Sequence, residues 1–125
     1  MSKTVYISVS VIFLTFGCSG TNDLYVPERI VKYTRVTLPL DSPEEAIEYS
    51  LSFQSVRNVL LDTSNSAFRN YGCAWKANSW RIDGQGYIVN WLKGIECDNY
   101  LVPLQLSVEG TLLTDSVRLH WGNCK

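Results

Sequence analysis

The sequence predicts a single α+β domain, one N-terminal helix packed on an antiparallel β-meander, preceded by a leader that is removed. Three observations predict it. Ala46, Tyr49, Phe53, Val56 and Leu60 recur at spacings of 3, 4, 3 and 4 residues, which lines them along one face of a helix. From Tyr71 onward apolar and polar residues alternate in short runs separated by Gly, Asn and Asp, the signature of half-buried strands. Residues 1–17 carry a single charge, Lys3, followed by an apolar run from Val5 to Phe16. A chain of 125 residues with 46% hydrophobic and 18% charged side chains has the length and composition of one domain with a core.

Along the chain, Leu24–Leu40 reads as a first strand. Val36, Leu38 and Leu40 alternate with Arg35, Thr37 and Pro39, and Pro27 and Pro39 confine it to an edge. Asp41-Ser42-Pro43-Glu44-Glu45 then announces a helix, with Ser42 at N-cap, Pro43 at the first helical position and Glu45 three residues after the cap. The apolar stripe extends that helix over about 18 residues until Asp62-Thr63-Ser64-Asn65-Ser66 breaks it. Tyr71, Cys73 and Trp75 open a strand, Asp83-Gly84-Gln85-Gly86 turns a hairpin, and Tyr87, Val89 and Trp91 share one face of the returning strand. Lys93-Gly94 and Asp98-Asn99 punctuate the next stretch; Leu104, Leu106 and Val108 form another half-buried strand, and Val117, Leu119 and Trp121 a last one. In architecture the layout resembles the cystatin-like fold, which hosts many activities and so implies none.

Composition excludes several function classes. A net charge of −1 supplies no cationic surface for neutralising phosphates, so no nucleic-acid partner is expected. The four cysteines lack the close pairs of a zinc site, so neither metal nor cofactor is expected. His120 is the one histidine and stands on the polar side of its strand, leaving no nucleophile, base and orienting group to assemble; no catalytic residue is assigned and the chain is read as non-enzymatic. Gly84-Gln85-Gly86 joins two strands and is no dinucleotide fingerprint. Trp75 and Trp91 share the parity of the apolar face and belong to the core, whereas Trp80 is out of that parity. The candidate binding residues are accordingly Trp80, Arg81 and Tyr87 around the 83–86 turn. Oligomeric state is not legible.

The N-terminus carries the strongest address. Val5–Phe16 is 12 residues long, too short for a spanning helix, and with Lys3 before it and small residues after it has the layout of a signal peptide over residues 1–17. Leu14-Thr15-Phe16-Gly17-Cys18 resembles the lipobox of bacterial lipoproteins, with Gly17 as the small residue before the cysteine and Thr15 where that class usually has Leu. The resemblance implies diacylglycerol on Cys18, cleavage before it, and an acylated new N-terminus. Residues 18–23 would then be the lipidated cysteine and a short tether, and 24–125 the domain. Ser19 after the cysteine implies, by enterobacterial-type sorting, the outer membrane facing the periplasm. Ordinary cleavage near Gly17 or Gly20 stays open and gives a secreted or periplasmic protein.

Export permits disulfides. With Cys18 lipidated, Cys73, Cys97 and Cys124 remain, enough for one bridge. Cys97, between the strands of the other two, is the expected shared partner, and Cys97–Cys124 the preferred pair. That bridge closes a 28-residue loop and stabilises by roughly 3–4 kcal/mol in the chain-entropy model. The expected function is a small envelope lipoprotein that presents a sheet face or loops to a protein or glycan partner. The alternative is a soluble secreted inhibitor or immunity-type protein using the Trp80–Tyr87 hairpin. Metabolic labelling with palmitate tests the anchor: label is expected on the wild type and not on Cys18→Ala, and an unlabelled wild type whose processing is unchanged by Cys18→Ala contradicts it.

Overall fold

The computed structural model describes residues 25–95 and 98–122. The signal peptide, Cys18 and its tether, Cys97 and Cys124 lie outside the described residues. The described residues form an α+β arrangement of four short helices and a four-stranded antiparallel sheet in the order β1-β2-β3-β4. The helices are α1 (Pro27–Val31), α2 (Pro43–Ser50), α3 (Gln54–Leu60) and α4 (Ser66–Tyr71). The strands are β1 (Lys76–Ile82), β2 (Gly86–Ile95), β3 (Asp98–Leu106) and β4 (His120–Gly122).

The predicted start of the main helix is observed. Ser42 Oγ accepts from the Glu45 N–H at 3.2 Å, and the Glu45 carboxylate reaches back to the Asp41 N–H at 2.8 Å. The single long helix is corrected to two, because the chain turns at Leu51–Phe53. Two hydroxyls compete there for helix carbonyls: Ser50 Oγ donates to Ile47 O and Ser52 Oγ to Tyr49 O, each at 2.7 Å. Arg57 caps the break by donating to Leu51 O at 2.7 Å. The turn also carries Leu51, which lies off the apolar stripe, into full burial. A straight helix would leave that side chain outside the 46-49-53-56-60 face.

The expected first strand is corrected as well. Pro27 at a helix N-terminus starts α1, and the following segment is extended without sheet partners. There the Thr34 N–H donates to Glu48 Oε1 at 3.0 Å instead of to a neighbouring strand. Tyr71 closes α4, which Asn65 caps by accepting from the Phe68 N–H at 3.1 Å. The sheet therefore begins later than the alternation of Tyr71, Cys73 and Trp75 predicts. Trp75 forms an isolated bridge with Tyr25. The last strand shrinks to His120–Gly122, and Trp121, expected in the core, is 59% exposed. It pairs with Tyr100 on the helix side, but at the far edge of the sheet.

The alternation through β2 and β3 holds. Tyr87, Val89 and Trp91 with Val102, Leu104 and Leu106 form a buried face, against which Ile30, Leu40, Ala46, Leu51, Val56 and Leu60 pack. Two indoles fasten the layers. Trp91 Nε1 donates to Ser50 Oγ at 3.1 Å and Trp75 Nε1 to Leu60 O at 3.0 Å. Both acceptors stand at the C-terminal ends of helices, where backbone carbonyls lack intrahelical donors. The hairpin turn at 83–85 leaves Gly86 at φ +100°, and a Cβ there would stand 2.0 Å from Leu106 O. Glycine is thus required where β2 passes the end of β3.

Candidate interaction face

Among the described residues, the helices that contact the sheet pack on the side of Trp91, and the opposite side carries none of them. Its side chains follow from the pairing register. Trp80 lies opposite Ile88, and Ile88 opposite Gln105; Asn78 lies opposite Asn90, and Asn90 opposite Pro103; Lys76, Leu92, Leu101 and His120 make a third row. Within the first two rows Asn78 and Trp80 are exposed and the other four are half-buried. Trp80, at 47% exposure, is the largest of them. Beyond the Trp80 row, a groove of about 480 Å³ is lined by Gln85, Gly86, Gln105, Ser107, Glu109 and Leu113 among others. Leu113 donates its N–H to Gln105 O at 2.8 Å, which holds this loop against the edge of the face.

The structure separates the three binding residues expected from sequence. Trp80 is on the outward face. Arg81 and Tyr87 come together on the other side, with the guanidinium 5.6 Å from the Tyr87 ring centroid. Tyr87 is 1% exposed and its hydroxyl donates to Leu40 O at 3.4 Å, so its ring is core. The alternation rule that places Trp80 outside also places Asn78, Ile88, Asn90, Pro103 and Gln105 beside it. That parity signal was present in the sequence, whereas attention to aromatic residues alone selects Tyr87.

Two charged clusters lie away from this face. Glu48 accepts from Tyr25 OH at 2.9 Å, from the Thr34 N–H, and from Arg29 in an ion pair. Burial acts to raise the Glu48 pKa, but the hydrogen bonds from Thr34, Arg29 and Tyr25 outweigh it and hold the carboxyl below its usual range. Burial together with the Glu48 hydrogen bond pushes Tyr25 up to about 12. This network ties α1 and the segment after it to α2. Lys93 is 3% exposed on the helix side; its ammonium donates to Gly72 O at 2.7 Å and sits 3.7 Å from the Phe68 and 4.5 Å from the Trp75 ring centroid. Burial pushes its pKa down to about 7. Lys93 thereby secures the end of α4 beside Cys73, which is disulfide-bonded. The preferred Cys97–Cys124 pair would leave Cys73 over; the bond at Cys73 makes it a full member of the disulfide framework.

Among the described residues, no group of three His, Cys, Asp or Glu side chains is placed to hold a metal ion, and no helix is long and apolar enough to cross a membrane. No protein-family model, curated protein or solved structure matches the chain.

The buried lysine yields a pH signature. Between about pH 7 and pH 10 the folded state holds Lys93 neutral while the unfolded chain keeps it protonated, so the unfolded state binds the extra proton and stability rises with pH. Above pH 10 Tyr25 acts the other way, because the unfolded chain loses that proton first and stability falls toward pH 12. Urea unfolding across pH 7–10 is expected to show the rise in wild type and its loss in Lys93→Met. An unchanged slope in the variant contradicts the assignment.

Proposed function

We propose that this protein is a small cell-envelope lipoprotein without enzymatic activity. Cys18 anchors it to the outer membrane facing the periplasm, and the outward sheet face binds a protein or glycan partner. The observation that carries the binding part is Trp80, a half-exposed indole on the edge strand β1 of the outward face, whose partner across the strand pair is the apolar Ile88. Helix packing satisfies the other side of the sheet, so this indole has no role in holding the core. Large aromatics left outside a core are the residues that most often anchor interfaces. The fold we infer for residues 24–125 is cystatin-like, supported by the uninterrupted meander order with helices on one side.

Use of the face is favoured over insertion of the Trp80–Tyr87 hairpin into a cleft. The turn lies level with the end of β3, since Tyr87 already pairs with Leu106. Tyr87 is also committed to the core. The membrane part rests on the lipobox resemblance at Leu14–Cys18.

Fractionation and affinity capture test the two parts separately. The chain is expected to sediment with membranes, and its recovery wholly in the culture medium contradicts the anchor. Immobilised wild type is expected to retain a component of envelope extract that Trp80→Ala loses and Trp121→Ala keeps. Equal retention by Trp80→Ala removes the face from the account.

A further inference from the structure

We propose that the outward face is a carbohydrate site for a neutral, hydroxyl-rich glycan, with Trp80 as the stacking platform and the side-chain amides of Asn78, Asn90 and Gln105 as its hydrogen-bonding groups. This rests on the reading of that face as the binding surface and names its ligand class. The six side chains of two neighbouring rows, Trp80-Ile88-Gln105 and Asn78-Asn90-Pro103, form one contiguous patch. Strand spacing makes it about 10 Å across the strands and about 7 Å along them.

The chemistry of the patch is uneven in an informative way. Trp80, Ile88 and Pro103 offer apolar surface suited to the C–H face of a sugar ring. The three amides make no hydrogen bond to any described residue, although Asn90 and Gln105 are half-buried. Each amide offers two donors and an acceptor. A purely apolar partner surface would bury these groups without partners, which is costly. A ring of hydroxyls, each both donor and acceptor, satisfies them wherever they fall.

Charge points the same way. None of the six side chains is ionisable, and ionisable groups stand at the margins: Lys76 and His120 in the row beyond Asn78, and Glu109 in the groove beyond Gln105. The centre is matched to an uncharged ligand. The groove continues the polar lining with Gln85 and Ser107, which gives a chain of sugars a direction to run.

Binding of the full chain to an N-acetylglucosamine tetrasaccharide and to maltotetraose, with an oligogalacturonate as the charged comparison, tests the proposal. The readouts are intrinsic tryptophan emission and the side-chain amide resonances of Asn78, Asn90 and Gln105. At least one neutral oligosaccharide is expected to bind saturably and shift those resonances. Trp80→Ala is expected to weaken binding about tenfold or more, and Asn78→Ala with Asn90→Ala to weaken it without changing the far-ultraviolet circular dichroism. Trp121→Ala, on the other side of the sheet, leaves it unchanged. If neither neutral sugar binds at millimolar concentration, or only the charged one does, the glycan assignment is overturned. Should envelope capture still depend on Trp80 in that case, the face remains a binding surface and its partner is a protein. Loss of both overturns the face itself.

Discussion

Two buried indole N–H groups organise the domain. Trp91 on β2 and Trp75, just ahead of β1, each find an acceptor at the end of a helix, Ser50 Oγ for Trp91 and Leu60 O for Trp75. A buried donor without a partner costs about 1–3 kcal/mol, so the positions of α2 and α3 are fixed by polar demands as well as by apolar packing. Ser50 serves twice. Its hydroxyl donates to Ile47 O, which helps end α2, and accepts from Trp91, which pins that end to the sheet. Tyr25 then packs edge-on against Trp91, with ring centroids 4.9 Å apart, and carries the Glu48 network with it.

Among the described residues, the indole bonds that fasten the helices use one side of the sheet only. An antiparallel sheet tolerates this arrangement, with one face on the core and one toward solvent. What such a face displays is then open to selection for something besides stability. Here it displays an indole, a proline, the branched Ile88 and three amides that make no hydrogen bond to a described residue. The clusters that stability does use, Glu48 with Arg29 and Tyr25, and Lys93 among Phe68, Trp75 and Gly72, lie on the helix side. The side chains that hold the helices to the sheet and the amides left without a described partner thus stand on opposite sides of the sheet.

How much of this was legible depended on whether the signal was local. The cap at Ser42 and Glu45 and the alternation of Tyr87, Val89 and Trp91 are short-range patterns, and both were read correctly. The helix break was hidden because the apolar stripe passes through it unbroken; what ends the helix is hydroxyl competition at Ser50 and Ser52 and the burial of Leu51. The segment 33–40 alternates like a strand, yet its Thr34 and Leu40 N–H groups donate to Glu48 and to Val108 O, acceptors distant in sequence. Lys93 looked like turn punctuation, because nothing local marks a lysine for burial. Trp121 obeys the parity of the core face but stands beyond the helices that would cover it.

The central claim is that the Trp91–Ser50 hydrogen bond couples the helices to the sheet. A double-mutant cycle of Ser50→Ala and Trp91→Phe, followed by urea unfolding of the full chain, measures it directly, since the loss of the Ser50–Ile47 bond and of indole volume cancels in the cycle. The account predicts that Ser50→Ala costs about 1–3 kcal/mol in wild type and much less in Trp91→Phe, a coupling of about 1 kcal/mol or more. Additivity of the two substitutions within about 0.5 kcal/mol would contradict it.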